Sequence, residues 1–239
     1  HVVPASRYVG ELGAVIAIEP NPEMVQRLLA NIRLNHAANV RVLHVAAGEG
    51  AGKFKLFAHP LHPGTGWLVE QEDATPDYIE RLETSFREHP EAAMLPLPGV
   101  GFAISERQSF KLVVHDVEMA AFGGLLSEYD AARTSVVKID VEGAEMAVMR
   151  AAEFLWDRPN PPCAVIEYEE RYQGAREEIF QFFARRGWGL YIVSCNEKGL
   201  PTYNMLAESY VSSQFENIFA IPPSRRDFCT RAARLRRSQ

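Results

Sequence analysis

At residues 135–145 the chain reads SVVKIDVEGAE. Ser135 to Asp140 is a short run dominated by Val136, Val137 and Ile139, which reads as a buried strand. Val141-Glu142-Gly143 turns into a helix whose apolar positions include Val148, Met149, Ala152 and Leu155. Lys138 and Asp140 interrupt an otherwise apolar strand. Buried charges are costly unless paired, so they face either a polar ligand or an ion pair built into the fold. Gly143 suits a tight turn between strand and helix, and Glu145 stands in the first helical turn, where the helix dipole favours an acid.

The same grammar extends in both directions. Upstream, Ala14 to Ile18 is a β-branched run that ends at Glu19. Asn21-Pro22-Glu23 then supplies an N-cap, a proline at the first helical position and an acid in the first turn. Val25, Leu28, Leu29 and Ile32 follow at helical spacing, and the helix stops near Asn35. Val40 to Val45 reads as a strand, Ala46 to Gly50 as a small-residue loop, and Phe54 to Phe57 as an alternating strand. Downstream, prolines at 159, 161 and 162 break the chain before a strand over Ala164–Glu167. A helix carrying Ile179, Phe182 and Phe183 stops at Gly187, and strands follow at Leu190–Val193 and Asn217–Ile221. Strand alternating with helix predicts an α/β fold with a mostly parallel sheet. In such sheets ligands bind beyond the carboxyl ends of the strands, and three of these strands end in acids: Glu19, Asp140 and Glu167.

Residues 58–110 break the rhythm. Prolines and glycines cluster at 60–66 and 96–101, and between them Thr75-Pro76 opens a polar helix with Tyr78, Ile79, Leu82 and Phe86 on one face. This segment reads as an insertion or lid, with Phe110 to His115 a further strand after it. His59 and His62 have a metal-like spacing, but no cysteine or carboxylate falls at a helpful distance, so no metal site is expected. His115-Asp116 is a candidate base from this side, against a plain strand-end turn. Trp67 and Trp188 read as packing residues.

Composition narrows the classes. The 239 residues are 47% hydrophobic and 23% charged, an ordinary globular balance. No apolar run is long enough for a transmembrane helix. Cys163, Cys195 and Cys229 are few, odd in number and without CxxC spacing, which fits a reducing, cytoplasmic setting. Net charge is −6, yet residues 224–239 hold six arginines and one aspartate, so the remainder carries −11. An acidic body of that kind makes nucleic acid a poor default partner. The basic tail reads as a solvated terminus.

A carboxylate at the end of a strand, such as Glu19, can accept hydrogen bonds from the cis-diol of a ribose. It can equally be an acid solvated beside a helix N-terminus. VIAIEPNP, a helix carrying Asn31 and Asn35, NVRVLHVAAGEG and VVKIDVEGAE occur in that order. Together they resemble the FkbM-like family of S-adenosylmethionine-dependent methyltransferases. The clearest matches span about residues 8–57 and 134–170, and residues 58–110 match poorly.

The resemblance implies a Rossmann-like methyltransferase sheet ordered 3-2-1-4-5-7-6 with an antiparallel last strand. It implies that S-adenosyl-L-methionine is the cofactor, with Glu19 on the ribose, Asn21 lining the same pocket and Ala46 and Ala47 beside the adenine. Asp140 would stand near the methyl group and serve as the first candidate for orienting the acceptor or taking its proton, Glu142 as the second, with Glu167 shaping the acceptor side. The family's glycine-rich loop lies just ahead of a helix that His1 to Gly10 would continue. The first strand is therefore expected upstream of residue 1, leaving a slot between the strands ending at Glu19 and Asp140 and weak cofactor binding by residues 1–239 alone. On this reading residues 1–223 form the methyltransferase domain, with the insertion at about 58–110, and 224–239 the tail. The expected reaction is O-methylation of a small molecule, sugar or lipid-linked glycan. A nicotinamide-dependent oxidoreductase on a related fold, or a degenerate binding domain without activity, are the alternatives.

Overall fold

The computed structural model describes residues 1–59, 62–88, 112–168, 173–195, 201–205 and 216–227. The chain divides into two compact units, His1–Ala120 and Ala121–Gln239.

The first unit opens with α1 (Val2–Val9), β1 (Val15–Ile18), α2 (Pro22–Leu34) and β2 (Val40–Leu43). β1 and β2 pair in parallel from Val15↔Val40 to Ile18↔Leu43. The Glu19 N–H extends the ladder by donating to the Leu43 carbonyl at 3.0 Å. The expected cap is present: the Asn21 side-chain oxygen accepts the N–H groups of Glu23 and Met24, and Pro22 opens the helix. Asn39 ties α1 to this layer, its side-chain amide donating to the carbonyls of Ser6 and Gly10 at 2.9 and 3.0 Å.

A second sheet follows, built from β3 (Ala46–Gly48), β4 (Gly52–His59), β5 (His62–Glu70) and β6 (Val113–Ala121), with α3 (Pro76–Glu88) after β5. The strand order is β3-β6-β4-β5, and β4 runs antiparallel to both β5 and β6. Leu56, Phe57 and Ala58 are all buried, so the middle of β4 is covered on both faces. Phe57 stacks on Trp67 at 5.7 Å and meets the edge of Tyr78 of α3 at 5.7 Å, each contact adding to the apolar area these rings bury. Gly66 is dictated by close approach: a Cβ there would lie 2.7 Å from the Phe57 carbonyl oxygen.

One expectation changes here. The small-residue loop at 46–50 contains a strand, β3, because pairing beside β6 outweighs the weak β-preference of Ala-Ala-Gly. Within the segment that reads as an insertion, β5 is laddered to β4, and α3 packs on the same sheet through Tyr78. His59 and His62 sit opposite one another in the β4–β5 register, with Pro60 and Leu61 outside the described residues. The cluster at 96–101 also lies outside them.

The second unit contains α4 (Glu128–Arg133), β7 (Val136–Ile139), α5 (Glu145–Ala151), α6 (Glu153–Trp156), β8 (Cys163–Tyr168), α7 (Gln173–Ala184), β9 (Gly189–Cys195), β10 (Pro201–Met205) and β11 (Glu216–Ile221). Its sheet is ordered β10-β9-β11-β8-β7. β7 and β8 are parallel, whereas β11 is antiparallel to both β8 and β9, and β10 is antiparallel to β9. The expectation of a mostly parallel sheet is thus corrected to a mixed α/β fold. The antiparallel β11 inserts between β8 and β9, so β7-β8-β11-β9 follows the expected 4-5-7-6 run; the departures are β10, antiparallel beside β9, and the antiparallel pairing of β4 with β5 and β6.

Behind β8 and β9 lies an aromatic core. Trp156 is within 6.0 Å of both Phe183 and Trp188, and the Phe183 and Trp188 rings are 4.9 Å apart. The Trp156 indole N–H donates to the Met149 carbonyl at 2.8 Å, so this buried ring leaves no donor unpaired. Trp188 is therefore a packing residue, as expected. The start of the basic tail is anchored: Arg225 donates to the Ser135 carbonyl and Arg226 to that of Gly187. Residues 228–239 lie outside the described residues. Among the described residues no helix is long and apolar enough to cross a membrane.

Candidate functional site

The second unit gathers charge at the carboxyl ends of its parallel pair. The β7–β8 register runs to Ile139↔Ile166, so one step further along Asp140 stands beside Glu167. Lys138 and Asp140 are two residues apart and point to the same side. The Lys138 Nζ donates to Asp140 Oδ2 at 2.5 Å. Carboxylate oxygens of Asp140, Glu142 and Glu167 all lie within 4.8 Å of one another. Three acids this close repel unless protons or cations intervene. Here the Lys138 ammonium is one answer and a shared proton is the other.

The hydrogen bond to Asp140, with partial burial and the Asp140 charge, pushes the Glu167 carboxyl up to about 8. Burial pushes Asp140 upward too, but the hydrogen bonds from Glu167 and Lys138 outweigh it and hold its carboxyl below the usual value. At neutral pH Glu167 is therefore the protonated partner, donating to an ionised Asp140. The two titrate as a pair.

The turn that carries Glu142 is unusual. Glu142 has φ 53° and Gly143 has φ 102°, two consecutive residues in the left-handed region. For glutamate that conformation costs on the order of 1–3 kcal/mol. Glu145 offsets it. Its carboxylate is buried and accepts the N–H groups of Gly143 at 3.0 Å and Val141 at 3.4 Å. Charge-assisted bonds of this kind are each worth about 1.5–3 kcal/mol.

The first unit holds the other candidates. Glu19 is half-buried at the end of β1, and its Oε1 accepts the Asn21 N–H at 2.8 Å. Asn21 is 4% exposed, and its side-chain oxygen is engaged as the cap of α2. Ala46 is buried and Ala47 half-buried in β3. His115 and Asp116 lie within β6 rather than in a strand-end turn; Asp116 pairs with Lys55 at 2.5 Å, and His115 Nε2 is 3.9 Å from Glu23. The structure thus brings together Asp140, Glu142 and Glu167 in one cluster, and Glu19 and Asn21 at one strand end.

The methyltransferase FkbM domain family matches residues 1–189. The chain belongs to this family. A methyltransferase from Sordaria araneosa, sdnD, is 26% identical over 148 residues, covering 58% of this chain and 51% of that protein. The chain thus spans about half the length of this curated relative. The crystal structure of methyltransferase FkbM from Methylobacillus flagellatus KT overlaps 87% of this chain and 36% of its own, with a TM-score of 0.43 and 12% identity.

Two features of this cluster escaped the reading of the sequence. One is the grip of Glu145 on the turn, for which an acid two residues after a turn glycine was the available signal. The other is the close approach of the Asp140 and Glu167 carboxylates. Both acids were visible at strand ends, but their adjacency depends on the pairing of β7 with β8.

Proposed function

We propose that this chain is the core of an S-adenosylmethionine-dependent O-methyltransferase with a hydroxyl-bearing small molecule, sugar or lipid-linked glycan as acceptor, built on a Rossmann-like arrangement. The observation that carries the reading is the cluster of Asp140, Glu167 and Lys138 at the carboxyl ends of adjacent parallel strands. That is where α/β sheets take their ligands.

The cofactor brings a methyl group already activated on a positively charged sulfur. What the protein adds is alignment and a place for the acceptor's proton. Asp140 is ionised at neutral pH, so it can accept a hydrogen bond from an acceptor hydroxyl and take up its proton. Glu142, held over the same turn, is the second group able to do so. Glu167 keeps the pair at one negative charge rather than two. Lys138 fixes one carboxylate oxygen of Asp140 and limits its rotation.

Glu19 fits the ribose role, because a half-buried carboxylate steadied by one backbone amide is the acceptor a cis-diol needs. Asn21 serves that pocket through its cap, which fixes the backbone after Glu19, and Ala46 and Ala47 offer the small side chains that a flat base can approach.

The test uses the full natural protein with radiolabelled S-adenosylmethionine and a panel of methyl glycosides and simple alcohols. Asp140→Asn keeps S-adenosylhomocysteine binding within about threefold and lowers turnover by 10²-fold or more, about the share a positioned acid or base contributes. Unchanged turnover in that variant removes Asp140 from the mechanism. Cofactor binding with no transfer to any acceptor by the natural protein favours the noncatalytic alternative.

A further inference from the structure

Glu145 stands behind the site and touches none of its three carboxylates. It is the first residue of α5 and is 5% exposed. A single oxygen, Oε1, accepts the N–H groups of Val141 and Gly143, the amides on either side of Glu142. Those amides belong to the segment that joins Asp140 to α5. Its own backbone bond, from the Ala144 N–H to the Val141 carbonyl, is long at 3.4 Å, and Ala144 gives α5 no side-chain cap. Gly143 takes its positive φ at no steric cost, but the left-handed φ at Glu142 is unfavourable for an L-residue and gains from an external hold.

We propose that Glu145 is a positioning residue: by gripping the amides on both sides of Glu142 it fixes the path of residues 140–143 and so sets the distances among the carboxylates of Asp140, Glu142 and Glu167. This inference rests on the proposed function only for its meaning in turnover. The placement itself is measurable without cofactor or acceptor.

The experiment is a carboxyl ¹³C NMR titration of the full natural protein and of Glu145→Gln, Glu145→Ala and Glu145→Asp. Glutamine still offers an oxygen to the two amides. Alanine offers none, and aspartate is too short to reach. The expected result is a Glu167 titration within about threefold in proton affinity of wild type for the glutamine variant, and a fall of about tenfold or more for alanine and aspartate, as the pair separates. Near-ultraviolet dichroism from Trp156 and Trp188 checks that the second unit is folded. A folded alanine or aspartate variant with the wild-type titration overturns the proposal. So does an equal change in all three variants, since charge rather than grip would then be at work. Should the alanine variant not fold, the aspartate variant decides by the same criterion. If Asp140→Asn retains full turnover while the Glu145 titrations behave as expected, the acceptor-side reading fails and the positioning role stands.

Discussion

Replacing Glu167 by glutamine probes the shared proton directly. A carboxyl that binds its proton more tightly when folded adds stability in full below its ordinary value. That stability drains away as pH rises through the folded value. For Glu167 the window runs from 4.5 to about 8. Asp140 moves the opposite way, and its contribution is lost only below the usual carboxylate range, outside this window. Each tenfold change in proton affinity is worth about 1.36 kcal/mol, which sets a ceiling of about 5 kcal/mol. Glu167 is half-buried and shares its proton with Asp140, so solvent screening leaves about 1–2 kcal/mol.

The assay is urea unfolding between pH 5 and 8.5 in a Trp67→Phe background, so that Trp156 and Trp188 report on the second unit. The wild type should lose about 1–2 kcal/mol more across this range than Glu167→Gln does. With a slope near 2 kcal/mol/M that is a relative midpoint shift of about 0.5–1 M. Contributions common to both proteins cancel. Parallel pH curves for the two would refute the shared proton, as would a Glu167 carboxyl titrating at 4.5.

Three further outcomes follow from the geometry. Asn21→Ala removes the acceptor of two helix N–H groups and should cost about 1 kcal/mol in the first unit, read by Trp67 fluorescence during urea unfolding. Gly66→Ala forces a Cβ against the Phe57 carbonyl and should cost about 1–3 kcal/mol by the same signal, because the clash is with backbone that cannot swing away. Trp156→Phe keeps most of the ring burial but leaves the Met149 carbonyl without its indole donor, for a loss of about 1–3 kcal/mol in the second unit, followed by circular dichroism.

Legibility followed the range of the forces involved. Val136-Val137-Lys138-Ile139 and Ala164-Val165-Ile166 announce themselves by residue type, and the Asn21-Pro22-Glu23 cap is a local event written in three residues. Both appear in the structure where the sequence placed them. β3 did not announce itself, because Ala46-Ala47-Gly48 becomes a strand only through a partner more than sixty residues away. β5 was missed for a similar reason: its prolines and glycines read as breakers, yet the Phe57–Trp67 stack and the tight approach at Gly66 show how it fits against β4. At the site, Asp140 and Glu167 were each visible as the end of a strand and Glu142 as part of the turn after the first. That Asp140 and Glu167 lie close enough to share a proton depends on β7 and β8 lying side by side, which a linear reading infers only from topology.

The most direct test is a calorimetric titration of S-adenosylhomocysteine into the full natural protein and its Glu19→Gln variant. Binding by the natural protein, about tenfold weaker once the ribose acceptor is neutralised, is the predicted result. No binding to the natural protein, or equal affinity in the two, contradicts it.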